Sequence, residues 1–399
     1  MHSPLQQYWV VTGSYWAFTL TDGALRMLVI LYFHQLGYSP LEVASLFLLY
    51  EFCGVITNLV GGWFATHMGV NSTMHIGMLL QIIALSMLLI DPNQLSVIYV
   101  MFAQAISGIA KDLNKMSAKS SIKLLLPKDA HGKLYKWVSI LTGSKNTLKG
   151  VGFFLGALLL TTLGFRGAIA SMVICLLLIL LVSYLLLQKD LGKTKYKPKF
   201  TEIFSKSSAV NYLSAARFFL FGSRDVWFVI ALPVFLQEQL LWESTQVGTL
   251  LALWVIGYGF VQSIAPIITR MRKGAVPDGN TAMFWALLLA IMPIAIVAML
   301  LQKQWSAEWV LIVGLIGFGF VFAINSAVHS YLIIAYAKDE GVSLDIGFYY
   351  MANALGRLVG TILSGWLYQI SGLIACLMLS FTFIIITSFI SIMLPKERA

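Results

Sequence analysis

Six basic side chains lie inside long apolar runs of this sequence, where lysine and arginine are rare. Each would cost roughly 2.5 to 3.5 kcal/mol at the centre of a bilayer. Such residues persist when they face a water-filled cavity or an anionic ligand, because either environment satisfies the charge. The pattern therefore predicts a binding site for a highly charged anion, lined by Arg26, Lys145, Lys149, Arg217, Arg224 and Arg357.

Helical spacing indicates which of these side chains can act together. Lys145 and Lys149 are four residues apart and Arg217 and Arg224 are seven apart. Each pair shares one helix face, with the arginines separated by roughly 10 Å along the axis. Arginine presents a planar fork that suits carboxylate, phosphate or arsenate oxygens, whereas lysine supplies a mobile point charge. We expect neutral hydrogen-bonding groups on the wall of the same cavity, namely Asn146, Asn325, His329, Tyr349 and Asn353.

The composition places these residues in an all-α integral membrane protein. Of 399 residues 59% are hydrophobic and 11% charged, which lies outside soluble usage. About 20 apolar residues cross the roughly 30 Å hydrocarbon core as a helix, the element that satisfies its own backbone in lipid. Windows of this length predict twelve spans, at residues 8–36, 41–65, 73–90, 95–118, 137–163, 167–187, 210–236, 245–268, 281–302, 307–335, 346–370 and 372–394.

The predicted spans divide into two groups of six. This arrangement predicts two six-helix bundles, residues 1–188 and 210–399, joined by a basic linker of residues 189–209. Nineteen lysines and arginines fall on one side of the predicted membrane and two on the other. The positive-inside rule therefore puts both termini and the linker in the cytoplasm. Since this asymmetry accounts for most of the formal charge of +10, we expect contact with anionic lipid and no nucleic-acid binding.

The motifs of the common enzyme classes are absent from the sequence. It has no nucleophile elbow, no paired acidic metal motif and no H-E-x-x-H. Cys53, Cys175 and Cys376 lie in three different predicted spans without C-x-x-C spacing, which is unlike a disulfide framework or zinc site. We therefore expect no enzyme activity, no cofactor and no metal. A membrane-embedded enzyme acting on a phosphorylated lipid is a remote alternative.

Lysines recur every four residues at the predicted cytoplasmic end of span four, at Lys111, Lys115, Lys119 and Lys123. Snorkelling of long cationic side chains explains the series as topology anchors. The first two could instead guide an anion into the cavity.

A histidine such as His329 is commoner as a hydrogen-bonded core residue than as a proton relay, so we expect its ring to be satisfied. Glycine pairs at 152 and 156 and at 356 and 360 predict close helix packing.

A glycine-rich segment between spans two and three resembles the cytoplasmic loop motif of the major facilitator superfamily. Its predicted gating residues are Gly62, Thr66, His67 and Gly69. Thr66 and His67 replace the usual aspartate and arginine, which puts the gating ion pair of that motif in doubt. Spans three, six, nine and twelve are peripheral in that superfamily, and here they contain no Asp, Glu, Lys or Arg. The charge distribution therefore favours a major facilitator fold.

Four longer stretches carry a more specific resemblance, which extends from the first span to the last. They resemble the ArsJ permeases, the organoarsenical efflux branch of the same superfamily: YWAFTLTDGALRMLV from Tyr15, GIAKDLNKMSAKSSIK from Gly108, LYKWVSILTGSKNTLKGVGFFLG from Leu134 and SAARFFLFGSRDVWFVIALPVF from Ser214. The resemblance implies pairing with a glyceraldehyde-3-phosphate dehydrogenase that uses arsenate in place of phosphate. It also implies that the product, 1-arseno-3-phosphoglycerate, is exported across a bacterial inner membrane and breaks down to arsenate outside, which confers arsenate resistance.

That cargo agrees with the spacing of the cations. It bears two oxyanion groups at opposite ends of a three-carbon unit, and the sequence offers two basic pairs. Trivalent arsenic would call for clustered thiolates, whereas the three cysteines lie on different spans. A transporter of an ordinary organic phosphate such as a phosphoglycerate is the nearer alternative, because an arginine fork binds phosphate and arsenate esters alike.

We expect a monomer that works by alternating access, exchanging the outgoing anion for an inward proton as an antiporter. Glu51, near the middle of span two without an obvious local partner, is the first candidate for the proton-carrying group, followed by Asp22 and Asp225. Asp22 precedes Arg26 by four residues, an order that favours their pairing. Arg224 and Asp225 point about 100° apart, so we do not expect them to pair.

Overall fold

The computed structural model describes residues 4–38, 46–91, 94–125, 131–187, 207–269, 276–338 and 341–395. Secondary structure in these ranges is helical, without a strand. Residues 189–206 of the predicted linker lie outside them. The helices are α1 (Pro4–Gln35), α2 (Leu48–Met68), α3 (Val70–Met87), α4 (Val97–Leu125), α5 (His131–Leu186), α6 (Ser208–Phe228), α7 (Ala231–Glu238), α8 (Ser244–Thr269), α9 (Gly279–Gln302), α10 (Ala307–Tyr336) and α11 (Val342–Ile392).

Two of these helices are each interrupted at one glycine. Gly164 in α5 has φ 67° and Gly372 in α11 has φ 73°. A positive φ is strained for residues with a Cβ but not for glycine, so the chain can turn at these two positions. Each helix therefore consists of two arms, residues 131–163 and 165–186 in α5 and residues 342–371 and 373–392 in α11. The arms coincide with predicted spans five, six, eleven and twelve.

Nine helices in the described ranges are long and apolar enough to cross a membrane. Two of the nine are α5 and α11, each of which supplies two arms. The remaining predicted span, α4, has 29 residues and is long enough to cross, but it is more polar and is not among the nine. Counted in this way, the described helices account for the twelve predicted spans of a multi-pass membrane protein.

Predicted span seven is divided into α6 and α7. Pro233 lies in the first turn of α7, where its missing N–H does not matter. In a continuous helix, residue 233 would have to donate to the carbonyl of residue 229, which proline cannot do. The helix therefore ends at Phe228 and restarts at Ala231.

The chain forms two compact units. Unit 1 comprises residues 1–130, 144–205 and 337–351. Its apolar core joins α1, α3, α4 and the second arm of α5, with fully buried side chains that include Leu28, Phe33, Leu85, Val100 and Ile169.

Unit 2 comprises residues 131–143, 206–336 and 352–399. Its core is rich in aromatic rings from α6 and α10. The Trp227 ring lies edge-on to Phe318 at 5.2 Å between centroids, and the rings of Phe221 and Phe322 lie 5.1 Å apart. Residues 131–143 of α5 and 337–351, at the start of α11, thus group differently from the predicted division at residues 189–209, which stays a prediction.

Candidate functional site

In unit 1, Arg26 of α1 pairs with Glu51 of α2. Its Nη2 atom donates to Glu51 Oε1 at 3.0 Å. The guanidinium also lies 4.9 Å from the ring centres of Phe47 and Tyr50. Asp22, one turn earlier on α1, accepts a hydrogen bond of 2.7 Å from the Tyr50 hydroxyl. Glu51, which has no obvious local partner in the sequence, thus pairs with a cation of another helix. The prediction that Asp22 pairs with Arg26 is wrong, because α2 supplies Glu51 for Arg26 and Tyr50 for Asp22.

The start of the predicted entry path holds a buried carboxylate. Asp112 of α4 has a side chain 2% exposed, and Lys115 Nζ lies 2.5 Å from its Oδ1 atom. Lys111 Nζ lies 3.8 Å from Asp112 Oδ2 and 3.9 Å from the centre of the Tyr50 ring. Both lysines are therefore held by unit 1 itself, and their part in guiding an anion stays a prediction.

Close contact between α1 and α5 positions the cations of α5. A Cβ atom on Gly152 would lie 2.6 Å from the Leu20 carbonyl oxygen, and one on Gly23 would lie 2.7 Å from the Lys149 carbonyl oxygen. Only glycine allows such an approach of two helix backbones. Gly156 likewise packs against the backbone of Ala24. The predicted close packing at Gly152 and Gly156 is confirmed.

The crossing brings Lys149 into the charged cluster of unit 1. Lys149 is half-buried and interacts electrostatically with Arg26 and Asp22 of α1. Lys145 and Asn146 lie one turn earlier on α5 and are also half-buried. The structure therefore groups Lys149 with Arg26, whereas the binding roles of all three α5 residues stay predictions.

In unit 2, one carboxylate holds two arginines. Asp225 of α6 is fully buried, and Arg224 Nη2 lies 2.5 Å from its Oδ1 atom. Arg357 Nε, from α11, donates to Asp225 Oδ2 at 3.1 Å. The prediction that Arg224 and Asp225 do not pair is wrong, because the long arginine side chain curls back to the adjacent carboxylate. We call this arrangement the Asp225 bridge.

Close packing of α6 against α11 positions the side chains of the Asp225 bridge. Gly356 packs against the backbone of Phe218, and a Cβ atom on Gly360 would lie 2.7 Å from the Gly222 carbonyl oxygen and 3.2 Å from Asp225 Cβ. This crossing of α6 and α11 brings Arg357 within reach of Asp225. The predicted close packing at the second glycine pair is confirmed.

Arg217 lies about two turns before Arg224 on the same face of α6 and is held by neutral groups. Its Nε atom donates to Asn353 Oδ1 at 2.9 Å, and Nη1 donates to Ser326 Oγ at 3.1 Å. Gln262 of α8 donates to the same Ser326 hydroxyl at 3.1 Å. The guanidinium stacks 3.9 Å from the centre of the Phe221 ring. The predicted residues Arg217 and Asn353 therefore meet, and α8 and α10 fix their positions.

Two further polar side chains of α10 are buried in unit 2. Asn325 and His329 have no exposed surface, and none of their side-chain nitrogen and oxygen atoms has a hydrogen-bond partner among the described residues. The expectation that the His329 ring is satisfied is therefore wrong. Leaving a buried polar group unsatisfied costs about 1 to 3 kcal/mol. Both side chains therefore suit a polar ligand group better than an apolar one.

The predicted gating residues bond within their own helix. Thr66 donates to the Trp63 carbonyl at 2.7 Å, and His67 Nδ1 lies 2.9 Å from the same oxygen. Gly69, with φ 89°, ends α2. Gly62 packs against the backbone of residues 343–344 in unit 1. A gating role of these four residues stays a prediction.

Tyr349 lies in unit 1, fully buried, with its ring edge-on to that of Tyr350 at 5.0 Å between centroids. Two open clefts, of about 510 and 400 Å³, flank the interruption of α11 in unit 2. Neither is lined by a predicted binding residue. The charged residues predicted from the sequence thus lie outside the lining of both clefts, on α1, α2, α4 and α5 in unit 1 and on α6 and α11 in unit 2.

Residues 11–330 match the sequence profile of the Major Facilitator Superfamily. This match covers most of the chain. The protein belongs to the major facilitator superfamily. A comparison with curated proteins finds no significant match.

Solved major facilitator structures share the fold over nearly the whole chain. The human organic anion transporter MFSD10 matches with a TM-score of 0.77 and 16% identity, covering 98% of this chain and 100% of its own. A bacterial homologue of the iron transporter ferroportin, in an outward-facing state, matches with a TM-score of 0.76 and 14% identity, covering 98% of this chain and 99% of its own. The E. coli fucose:proton symporter FucP matches with a TM-score of 0.74 and 9% identity, covering 98% of this chain and 99% of its own. At these identities the likeness shows the fold.

Sequence reasoning missed several partners of the transporter's cations. Tyr50 adjoins Glu51, and Gln262 is a polar residue within an apolar span. Ser326 and Asp112 were also left out of the predicted site. A polar residue within an apolar span is the signal that could have found Gln262 and Ser326.

The lysines at the far end of α4 bond to the start of α11 within unit 1. Lys119, 2% exposed, donates to the Tyr350 hydroxyl, and Lys123 donates to the Ala337 carbonyl. Lys115 lies 4.7 Å from the Tyr350 ring centre. The snorkelling interpretation is therefore wrong for Lys119, which is an internal hydrogen-bond donor.

Tyr350→Phe is expected to lower the thermal stability of the folded transporter. The buried Lys119 ammonium would lose an oxygen partner, a loss of about 1 kcal/mol or more. The measurement is the midpoint of thermal aggregation in detergent, with Tyr212→Phe, at an exposed ring in unit 2, as the matched control. Equal midpoints for the two variants would contradict a stabilising role for this contact.

Proposed function

We propose that this transporter exports 1-arseno-3-phosphoglycerate, the product of a glyceraldehyde-3-phosphate dehydrogenase that uses arsenate. The observation that carries the proposal is the excess of cations over carboxylates in the spans of both units. In unit 2, Arg217, Arg224 and Arg357 accompany Asp225. Cations at this depth need an anionic partner or water, and a doubly charged cargo would satisfy the surplus.

Unit 1 supports the same cargo class. Its cluster sets Arg26, Lys111, Lys115 and Lys149 against the carboxylates of Asp22, Glu51 and Asp112. The forks of Arg26 and Arg357 suit planar or tetrahedral oxyanions, and the lysines add mobile charge. The fold is shared with a human organic anion transporter, and an organic anion is the class of cargo proposed here.

A monomer in the bacterial inner membrane, with both termini in the cytoplasm, moves cargo by alternating access. Its transport is coupled to protons through Glu51, Asp22 or Asp225. Lys111 and Lys115 guide the anion in, and the segment from Gly62 to Gly69 takes part in gating.

Arsenate tolerance tests this function directly. A sensitive bacterial host receives the transporter alone, the dehydrogenase alone, or both genes together. We expect growth at elevated arsenate with the pair and sensitivity with either gene alone, because the cargo must be both made and exported. Protection by the transporter alone, or none by the pair at matched expression, would refute the proposed cargo.

The nearer alternative is export of an ordinary organic phosphate, which the same arginine forks would bind. Counterflow in proteoliposomes separates the two. Vesicles loaded with 3-phosphoglycerate would accumulate external labelled 3-phosphoglycerate if the alternative holds. Absence of this exchange, together with arsenate protection by the pair, favours the arsenical cargo.

A further inference from the structure

The Asp225 bridge places the protein's own carboxylate on two arginines of the proposed binding site. Asp225 uses one oxygen for Arg224, at 2.5 Å, and the other for Arg357, at 3.1 Å. A phosphate or arsenate group offers the same pairing to two guanidiniums, with one oxygen for each. Asp225 therefore holds the position that an oxyanion of the cargo would take on these two forks.

Displacement by cargo would leave the Asp225 carboxylate in a costly position. Its side chain has no exposed surface, whereas those of Arg224 and Arg357 are 13% and 39% exposed. The arginines can thus turn toward a ligand, but Asp225 cannot turn to water. A buried carboxylate that loses its cations favours the neutral, protonated form.

We propose that Asp225 takes up a proton when an oxyanion of the cargo displaces it from Arg224 and Arg357, and that this proton crosses the membrane with the anion. The inference rests on the proposed function. One proton moves from water to a carboxylate oxygen as the cargo binds. It returns to water on the other side when the cargo leaves and Asp225 pairs again with both arginines.

The direction in which the proton moves follows from the signs of the two charges. A proton and an anion that load the same site favour each other's binding, so they travel together. An inward proton exchanged for an outgoing anion would require the protonated site to reject the anion, which opposite charges do not do. The proposed exchange at Asp225 therefore favours outward co-transport over the antiport expected from the sequence.

The membrane potential still favours export of the anion when one proton accompanies it. A molecule with one phosphate and one arsenate group carries about three negative charges near neutral pH. One accompanying proton leaves about two, and a negative-inside membrane potential drives net negative charge outward. The potential can therefore power export without an inward proton.

The other acidic candidates are less suited to this exchange. The Glu51 side chain is 39% exposed, so water can solvate its charge when Arg26 leaves. Asp22 accepts a hydrogen bond from the neutral Tyr50 hydroxyl. An anionic cargo is drawn to cations, so it would displace Asp225 from its arginines more readily than Asp22 from this hydroxyl. The charged groups that face Asp225 in the described residues are Arg224 on its own helix and Arg357 on α11, while Arg217 and His329 lie further along unit 2.

Proton uptake on anion binding tests the inference. The purified full chain in detergent, in weakly buffered solution near pH 8, is titrated with propane-1,3-diyl bisphosphate, a stable molecule with two oxyanions on a three-carbon unit. We expect about one proton taken up per anion bound. Asp225→Asn should bind the anion at least as tightly and lose the uptake, whereas Glu308→Gln, exposed at the start of α10, should keep it.

Every other outcome contradicts either the proton role of Asp225 or the proposed cargo class. No uptake, proton release, or uptake that persists in Asp225→Asn overturns the proton assignment while leaving the cargo class intact. Loss of uptake in Glu51→Gln instead would move the role to Glu51. No binding of the bisphosphate by wild type counts against the proposed cargo class, and the inference falls with it.

Transport gives the direction independently. Proteoliposomes loaded with the bisphosphate should acidify the outside as the anion leaves, and external alkalinisation would overturn co-transport. If Asp225→Asn does not fold, Asp225→Glu keeps the carboxylate on a longer side chain and should shift the pH midpoint of efflux. An unchanged midpoint would remove Asp225 from the role.

Discussion

Arg357→Gln is expected to cut anion efflux by roughly 30-fold or more. Its guanidinium shares the Asp225 bridge with Arg224 and is the more exposed of the two forks, at 39%. Truncating one partner of a buried, hydrogen-bonded charge pair costs about 2 to 5 kcal/mol. The lower end applies here because Asp225 is fully buried whereas Arg357 is partly exposed, and each 1.4 kcal/mol is about tenfold in affinity. The measurement is the initial rate of bisphosphate efflux from proteoliposomes at equal reconstituted protein.

Two further substitutions separate charge from geometry at this position. Arg357→Lys keeps the positive charge but loses the planar fork, so its rate should fall between wild type and Arg357→Gln. Lys303→Gln removes an exposed cation just after α9 and should leave the rate unchanged. Efflux at the wild-type rate in Arg357→Gln would exclude this arginine from the binding site.

The sequence predicted the helices well because lipid imposes a length and a composition on every span. Twelve apolar windows correspond to helices or helix arms, and the glycine at 164 and the glycine at 372 mark two of the turns. Span seven shows the limit of the method. Its hydropathy is continuous, so the window missed the interruption between Phe228 and Ala231 although Pro233 was visible.

The charged residues were predicted individually, but their partners were not. Spacing along one helix suggested that Asp22 meets Arg26, whereas α2 supplies Glu51 for Arg26 and Tyr50 for Asp22. A single sequence gives the face on which a residue lies and not the helix that packs against that face. Rotamers are also invisible, so the pairing of Arg224 with Asp225 was rejected from Cβ directions alone.

Burial decides what each ion pair contributes to stability, and sequence alone does not give it. Asp112 and Glu51 both lie in apolar spans and both pair with cations. Asp112 is 2% exposed and serves Lys111 and Lys115, while Glu51 is 39% exposed and serves Arg26. Breaking a buried pair costs about 3 to 5 kcal/mol, whereas exposed pairs contribute about 1 kcal/mol or less.

Asp112→Asn is therefore expected to destabilise the transporter far more than Glu51→Gln. The substitution leaves two ammonium groups, 18% and 13% exposed, without the carboxylate that neutralises them. We expect the midpoint of thermal aggregation in detergent to fall by about 5 °C or more for Asp112→Asn and to change little for Glu51→Gln. Glu308→Gln, at an exposed carboxylate, controls for the loss of one negative charge. Equal midpoints for the Asp112 and Glu51 variants would show that water reaches both sites alike, and the ranking by burial would then be wrong.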